Sequence, residues 1–203
     1  MTTLSGTEMR LPVSKEFMNQ KEKIINAGLV GSRTTEEYSK NIYLVPVPLE
    51  KISCFGSKNI SPAHSKRLCN AVDFYVPEGT PVLAAADGKV VEVKDDSDEN
   101  GIEIEFWDKG NYIDIEHENR EFTWYEHLKY KGILAKKGNI VKKGQVIGYS
   151  GNTGFTENPH VHFQVNKYFG KGPDDYVSLR ARFEGIKDVY SYDRPMNLKG
   201  MIE

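Results

Sequence analysis

The sequence predicts a mainly β protein whose principal domain is an antiparallel sandwich or barrel-like structure. From residue 70 onward, short strand-like segments follow one another closely and turn-forming residues separate them. Short strands at this density are typical of antiparallel all-β domains. An Asp87-Gly88 pair between the second and third segments predicts a β-hairpin. The predicted strands are residues 72–75, 81–86, 89–94, 101–107, 112–117, 123–128, 140–141, 145–150 and 160–165.

Residues 61–170 are predicted to form the main β domain. Residues 1–60 lack its closely spaced strand-like segments and are predicted to form an N-terminal extension that wraps this domain. Within it, Phe17, Ile24 and Ile25 have helical spacing, and Gly28 follows as a stop signal. Residues 42–49 are apolar but contain two prolines, which predict an edge strand or an extended linker. The extension is therefore expected to combine a helix with an extended segment.

Residues 171–203 predict a C-terminal tail packed on the domain. Leu179, Phe183 and Ile186 have helical spacing in this region, so part of the tail is expected to be helical. The turn-prone segment Asp193-Arg194-Pro195 follows. The tail is thus expected to be of mixed structure.

Composition excludes several classes of function. The 203 residues suffice for one sizeable core with extensions, or for two small domains. A net charge of −2 lacks the basic excess of a nucleic-acid-binding protein. No apolar run approaches the roughly 18 residues of a membrane span, and residues 1–13 lack the apolar centre of a signal peptide. Cys54 and Cys69 could pair or remain free, and two thiols do not indicate a disulfide scaffold.

Residues 158–165 are the predicted chemical centre of the chain. Three apolar side chains alternate there with three polar ones, which include His160 and His162. This period of two predicts a half-buried strand with both imidazoles on its polar face. Two imidazoles one strand repeat apart can reach the same metal ion and its water. The alternative is two hydrogen-bonded histidines on a solvated strand face. The side chains expected in the core are Val161, Phe163 and Val165.

Two further residues are candidates for the same site. Asp73 follows an apolar pair, and a carboxylate there is costly unless it is paired or ligated. Alternation in residues 123–128 places Thr123, Tyr125 and His127 on one face. A zinc hydrolase needs about three N or O ligands and an open position for water, with a base or charge stabiliser nearby. Asp73 and one of the paired histidines supply two ligands, so a third is still required.

Eight short motifs between about His64 and Val165, roughly half of the chain, follow a recognisable order and spacing. They resemble the lysostaphin/LytM-type zinc metallo-endopeptidases, which cut peptide bonds in bacterial cell walls. The resemblance implies a duplicated hybrid motif fold, one Zn²⁺ ion and a peptidoglycan peptide as substrate. The motifs are Ala71-Val72-Asp73-Phe74, Pro77-Glu78-Gly79-Thr80-Pro81-Val82, Ala84-Ala85-Ala86-Asp87-Gly88, Gly110-Asn111-Tyr112, Tyr125-Glu126-His127-Leu128, Val141-Lys142-Lys143-Gly144-Gln145-Val146-Ile147-Gly148, Ser150-Gly151-Asn152-Thr153-Gly154 and Pro159-His160-Val161-His162-Phe163.

The resemblance also implies roles for individual residues. Asp73 and His162 match two metal ligands of that family. His127 and His160 match two histidines that do not bind the metal but orient water and stabilise the oxyanion. His117, the remaining histidine near a strand, is predicted to be a surface residue at the strand end.

The third ligand is where this chain departs from the resemblance. The commonest pattern places the first ligand histidine four residues before the aspartate, and this chain has Cys69 there. His64 lies nine residues before Asp73, in a loop, as in some members of the broad family. We predict His64, Asp73 and His162 as the metal ligands. A Cys69 thiolate, or no third ligand at all, are the alternatives.

These observations predict a zinc-dependent endopeptidase that hydrolyses peptidoglycan peptide bonds through metal-activated water. Whether His127 or His160 moves the proton stays open. The alternative is a catalytically degenerate regulatory or wall-binding module, because position 69 lacks the usual histidine. We expect a monomer without a nucleic-acid partner. Its substrate would lie outside the membrane, although no export signal is visible.

Overall fold

The computed structural model describes residues 13–57, 60–170, 175–192, 195–197 and 201, and its mainly β architecture confirms the predicted fold class. Two short helices, α1 (Lys15–Met18) and α2 (Lys21–Asn26), precede the strands. In the described ranges the strands are β1 (Tyr38–Tyr43), β2 (Cys54–Gly56), β3 (Val72–Tyr75), β4 (Pro81–Leu83), β5 (Gly88–Lys94), β6 (Asn100–Gly101), β7 (Tyr112–Glu116), β8 (Phe122–Glu126), β9 (Leu128–Ile133), β10 (Ile140–Val141), β11 (Val146–Ser150), β12 (Gly154–Phe155), β13 (His160–Tyr168) and β14 (Tyr176–Phe183).

A nine-stranded sheet dominates the fold, with strand order β1-β14-β13-β8-β7-β5-β10 and the pair β2-β3 attached to β13. Its neighbouring strands are antiparallel except for β1 and β14, which are parallel. The first half of β13 lies between β3 and β8, and its second half lies between β14 and β8. The middle of this strand therefore has neighbouring strands on both sides.

The main core contains side chains from the large sheet and from a three-stranded antiparallel sheet, β4-β11-β9. Val161, Phe163 and Val165 of β13 are fully buried in this core, as their alternation predicts. Burying a side chain of the size of Phe163 contributes about 1.5–3 kcal/mol. Because these apolar residues face the core, the polar residues between them face the opposite side of the sheet.

The predicted Asp87-Gly88 hairpin is wrong. Strand β4 pairs with β11, whereas β5 pairs with β7 and β10, so the two segments belong to different sheets. The Asp87 carboxylate accepts a hydrogen bond from the Lys143 backbone N–H at 2.8 Å and pairs with the Lys142 ammonium at 2.7 Å. The turn is thus attached to a second turn, instead of closing two paired strands.

Two other local predictions also fail. Most of residues 101–107 lie outside strands, and a 3₁₀ turn at Ile104–Phe106 places apolar side chains in a second cluster with Phe17 and Phe155. The helix expected around Leu179 is instead the strand β14, between β1 and β13. Leu179 and Phe183 are four residues apart, which fits one face of a strand as well as a helix.

The N-terminal segment contains two short helices where the sequence predicts one. Phe17 and Ile24 are buried, but the expected helix is divided into α1 and α2. Strand β1 lies at the edge of the large sheet and ends before Pro46 and Pro48, as the prolines require. Of the turn at 193–195, only Pro195 lies within the described residues. No helix in the described part of the chain is long and apolar enough to cross a membrane.

Candidate metal centre

Pairing between β3 and β13 brings Asp73 opposite His162. Nδ1 of His162 lies 2.9 Å from Oδ1 of Asp73, and both side chains are buried. His160, one strand repeat earlier, places its Nε2 3.6 Å from the same carboxylate oxygen. The pairing of β3 with β13 therefore brings Asp73, His160 and His162 together, although about 90 residues of chain separate Asp73 from the two histidines.

His64, in the loop before β3, also contacts the Asp73 carboxylate. Its Nε2 lies 3.1 Å from Oδ1 of Asp73 and 3.3 Å from Nδ1 of His162. His64, Asp73 and His162 form a cluster whose ligand atoms lie within 4.8 Å of one another. Cys69, the alternative ligand, is outside this cluster and is a partly exposed free thiol. Cys54 is also free and is buried.

Each histidine around Asp73 has its outer ring nitrogen held by an oxygen of the chain. A carbonyl oxygen only accepts, so in a neutral imidazole the nitrogen facing it carries the proton and the other nitrogen keeps its lone pair. For His162 the acceptor is the Gln164 side-chain carbonyl, in the amide orientation of the structure. The outer contacts are His64 Nδ1 to Ser57 O at 2.6 Å, His127 Nδ1 to Thr153 O at 2.7 Å, His160 Nδ1 to Asn158 O at 2.8 Å and His162 Nε2 to Gln164 Oε1 at 3.2 Å.

In these tautomers the lone pairs of His64 Nε2 and His162 Nδ1 converge on the Asp73 carboxylate with no proton between them. Oδ2 of Asp73 is buried and has no hydrogen-bond partner among the described residues. Buried acceptors that face one another without a donor are unfavourable unless a cation joins them. Two imidazole nitrogens and one carboxylate form a donor set suited to zinc, so these residues fit the predicted ion.

The charge distribution agrees with a cation-binding site. Burial by itself would raise the pKa of Asp73, but the positive charge of His64 and His160 when protonated, and a proton shared between the carboxylate and His162 or His64, hold it well below its usual value. A proton can therefore take the place between these groups that a metal ion would take. Burial would lower the pKa of His162, but the hydrogen bond and charge of Asp73 raise it instead. Asp73 is therefore an anion that attracts positive charge.

His127 reaches this side of the sheet by a backbone irregularity. The prediction that Thr123, Tyr125 and His127 share a face is wrong, since Thr123 and Tyr125 are fully buried on the core side. Strand β8 ends at Glu126, and His127 has a φ of 63°. This left-handed residue interrupts the alternation, so His127 lines the open groove described below.

His127 and His160 lie beside each other, with ring centroids 4.5 Å apart. His160 also stacks on Tyr75, with centroids 4.9 Å apart. Burial lowers the pKa of His127 to about 4 and the pKa of His160 to about 3. Both imidazoles are therefore neutral near pH 7, and each has a free Nε2 lone pair.

The prediction of a surface position for His117 is wrong. This histidine is buried at the end of β7. Its Nδ1–H donates to the Asp87 carbonyl at 2.8 Å, and its Nε2 accepts from the Thr123 hydroxyl at 2.6 Å. The Tyr125 hydroxyl lies 3.1 Å from the Thr123 hydroxyl and accepts from the Ala85 N–H at 2.8 Å. His117 and Tyr125 thus belong to a core hydrogen-bond network behind the sheet.

A groove of about 770 Å³ lies over the polar face of the large sheet and includes His127 and His162 in its lining. Its floor consists of two rows of cross-strand neighbours. The first row is Lys94, Tyr112, Glu126 and His162, beyond which lies the buried Asp73, and the second row is Glu92, Asp114, Trp124 and Gln164. An extended peptide could lie along such a floor beside the candidate metal centre.

Sequence reasoning did not identify Glu126 or Asp114 as part of this region. It placed Gln164 on the polar face of the strand with His160 and His162, but gave it no role. Glu126 lies directly opposite His162 on β8, and burial raises its pKa. Asp114 lies on β7, where only strand register connects it to the groove. The position of both carboxylates depends on pairing that a single sequence does not specify.

Most of the candidate site residues fall in a region of the chain that is similar to known proteins. The profile of peptidase family M23 matches residues 67–174, just over half of the 203-residue chain. The chain belongs to peptidase family M23. The matched region includes Asp73, His127, His160 and His162, whereas His64 lies three residues before it.

Several M23 relatives are similar to this chain. Peptidoglycan DD-endopeptidase ShyA of Vibrio cholerae is 39% identical over 115 residues, which cover 56% of this chain and 24% of that protein. Lysostaphin of Staphylococcus simulans is 38% identical over 106 residues, which cover 51% of this chain and 20% of that protein. The chain therefore spans about a fifth to a quarter of the length of these two curated relatives.

A solved structure of lysostaphin from Staphylococcus simulans is also similar. It is 28% identical, and the match covers 69% of this chain and 52% of that chain with a TM-score of 0.48.

Proposed function

We propose that this M23 chain is a zinc-dependent endopeptidase that hydrolyses peptide bonds of bacterial cell-wall peptidoglycan. The observation that carries the proposal is the convergence of His64 Nε2, Asp73 Oδ1 and His162 Nδ1, three buried atoms that direct lone pairs at one another when the imidazoles are neutral. The names of ShyA and lysostaphin, together with the groove beside the cluster, support a wall peptide as substrate.

His64, Asp73 and His162 would hold the metal ion in this proposal. When bound, zinc supplies a Lewis acid that lowers the pKa of water and polarises a carbonyl group. Ser57 and Gln164 keep the two ligand imidazoles in the tautomer that directs a lone pair inward. These two hydrogen bonds therefore preorganise the ligand imidazoles for metal binding.

His127 and His160 would handle the proton and the developing negative charge. Their Nε2 atoms carry lone pairs, because each Nδ1–H is committed to a backbone carbonyl. A neutral imidazole accepts a proton from water and, once protonated, stabilises an oxyanion by a hydrogen bond. His127 lines the groove, whereas Nε2 of His160 lies against Asp73. We therefore propose His127 as the group closer to the scissile bond, and His160 as the imidazole that Asp73 supports.

The test measures zinc content and clearing of a cell-wall suspension by the purified chain. The expected result is about one zinc per chain and clearing that a chelator abolishes. His64→Ala and His162→Ala should each lower zinc affinity by more than about a hundredfold, because removing only a residue that orients a ligand already costs 10–100-fold. Both variants should lose activity.

Cys69→Ser is the matched control, since it replaces the alternative ligand with a group of similar size. It should keep both zinc and activity. Wall clearing that survives complete metal removal would contradict a metallopeptidase. Loss of zinc in Cys69→Ser with retention in His64→Ala would contradict the proposed ligand set. Zinc binding without hydrolysis would favour the wall-binding alternative.

A further inference from the structure

We propose that Asp114 and the aromatic side chains around it form a subsite for an alkylammonium group of the peptide substrate. This inference deepens the proposed function and rests on it, because it concerns the same groove. It assigns a chemical preference to the end of the groove that lies away from the candidate metal centre. The ligand class is a primary ammonium on a flexible alkyl chain, such as a lysine side chain.

Asp114 is the first observation in support. The residue lines the groove but is only 4% exposed. Its Oδ2 accepts from the Tyr168 hydroxyl at 3.2 Å, while its Oδ1 is buried and has no hydrogen-bond partner among the described residues. A buried carboxylate oxygen without a partner is costly, and an ammonium donor would remove that cost.

The surrounding charges favour a cation. Burial raises the pKa of Asp114 to about 7, and the negative charge of Glu92 on β5 contributes in the same direction. The groove lining contains four carboxyl groups, those of Glu92, Asp108, Asp114 and Glu126, against two cationic side chains. Of these two, Lys94 donates to the Asp108 carbonyl, and Arg67 donates to the Leu29 carbonyl at 2.9 Å and lies over the Tyr176 ring.

Aromatic side chains surround the carboxylate. Trp124 lies opposite Asp114 on β8 and stacks on Tyr112, with ring centroids 4.0 Å apart. Tyr168 contacts Asp114 from β13 and packs edge-on against Phe122 at 4.8 Å. Aromatic faces attract ammonium groups and also accommodate the alkyl chain that carries them.

Strand geometry places this subsite within reach of the reacting bond. Asp114 is on β7, two strands away from β13, and its row lies one strand repeat from the row of His162. With strands about 4.8 Å apart, the separation is on the order of 10 Å. An extended peptide covers that distance in about three residues, so the ammonium would belong to a side chain near the cleaved bond.

The experiment compares two capped tripeptides, alanine-lysine-alanine and alanine-norleucine-alanine. Norleucine replaces the ammonium by a methyl group on a similar chain. Binding is followed by intrinsic fluorescence, because both tryptophans line the groove. The lysine peptide should bind about 10–100-fold more tightly, as expected for hydrogen bonds to a charged group. Asp114→Asn should remove the preference.

Glu116→Gln is the matched control, since Glu116 is exposed on the same strand and outside the groove lining. It should keep the preference, and thermal unfolding of each variant checks that it is folded. Equal binding of the two peptides by the unmodified chain, no saturable binding of the lysine peptide, or a preference that survives in Asp114→Asn would each overturn the subsite.

The same proteins are tested on a cell-wall suspension, so that the two proposals fail separately. A lysine preference without wall clearing would contradict the proposed function and leave the ammonium subsite standing. Wall clearing without a preference for the lysine peptide would contradict the ammonium subsite and leave the proposed function standing.

Discussion

Imidazole orientation decides what each histidine of this chain can do. The four histidines around Asp73 direct a lone pair inward, because an oxygen of the chain holds the opposite nitrogen. The identities of His64, His127, His160 and His162 as candidates came from the sequence. The acceptors that select their tautomers, such as the Thr153 and Asn158 carbonyls, are backbone atoms that no residue pattern reveals.

His117 shows the same principle away from the groove and makes acid stability testable. Its buried ring is satisfied as a neutral imidazole by Asp87 and Thr123, and burial lowers its pKa below the ordinary value of 6.5. The unfolded chain therefore binds this proton more readily. Stability is full above about pH 6.5 and falls as the pH drops below it.

We expect His117→Gln to reduce this pH dependence. Between about pH 7.5 and pH 5, the free energy of unfolding of the unmodified chain should fall by about 1–2 kcal/mol more than that of the variant. Urea unfolding at several pH values measures the difference. The other histidines titrate in both proteins, so their contributions to the pH dependence of the unfolding free energy cancel in the comparison. Parallel pH curves for the two proteins would show that His117 is not the cause.

At the scale of secondary structure, β13 and its neighbours assemble the candidate site. The strand carries two histidines on one face and three core residues on the other, so packing of Val161, Phe163 and Val165 orients the imidazoles. Irregular elements complete the arrangement. His127 depends on its left-handed backbone, and His64 depends on a loop folded against β3.

The short strand β12 supports His127 and provides a second prediction. Gly154 follows Thr153, whose carbonyl holds His127. It has a φ of +85°, and a Cβ there would lie 2.5 Å from the Gly110 backbone nitrogen. Gly144 has a similar φ of +81°, but the nearest atom to its Cβ would be 3.9 Å away.

Gly144→Ala should therefore cost about 1–2 kcal/mol from the backbone conformation alone. Gly154→Ala should cost a further 1–3 kcal/mol because the methyl group has no room. Urea unfolding measures both. Wall clearing should fall only in Gly154→Ala, since only this variant displaces the support of His127. Equal losses of stability in the two variants would refute the role of close packing.

At the scale of the whole molecule, the candidate metal centre joins distant parts of the chain. His64 belongs to a loop, Asp73 to β3, and His162 to β13. An ion held by all three would cross-link the segment before the large sheet to its central strand. Binding that requires the folded arrangement stabilises the folded state by mass action.

Zinc should accordingly raise the unfolding free energy by about 2.7 kcal/mol at a free concentration one hundred times its dissociation constant. Thermal unfolding with and without a chelator measures this effect. His162→Ala should show no comparable shift, whereas Cys69→Ser should respond like the unmodified chain. An equal shift in His162→Ala would place the bound ion elsewhere.

The sequence by itself determined the fold class, the strands with clear alternation, the family resemblance and two of the proposed ligands, Asp73 and His162. These features depend on local periodicity and on motifs whose spacing survives without knowledge of the fold. It misjudged the hairpin at Asp87-Gly88, the helix around Leu179 and the exposure of His117. In each case the local pattern fits two structures, and contacts with distant residues choose between them.

Tertiary structure alone decided that His64, and not Cys69, lies against Asp73 and His162. It also decided that Asp114 lies in the groove with one oxygen unpartnered. Both outcomes depend on strand register and loop packing across long stretches of chain. A single sequence contains no direct record of such pairing, because alternation fixes the face that each side chain takes, whereas a shift by two residues keeps the faces and changes the cross-strand partners.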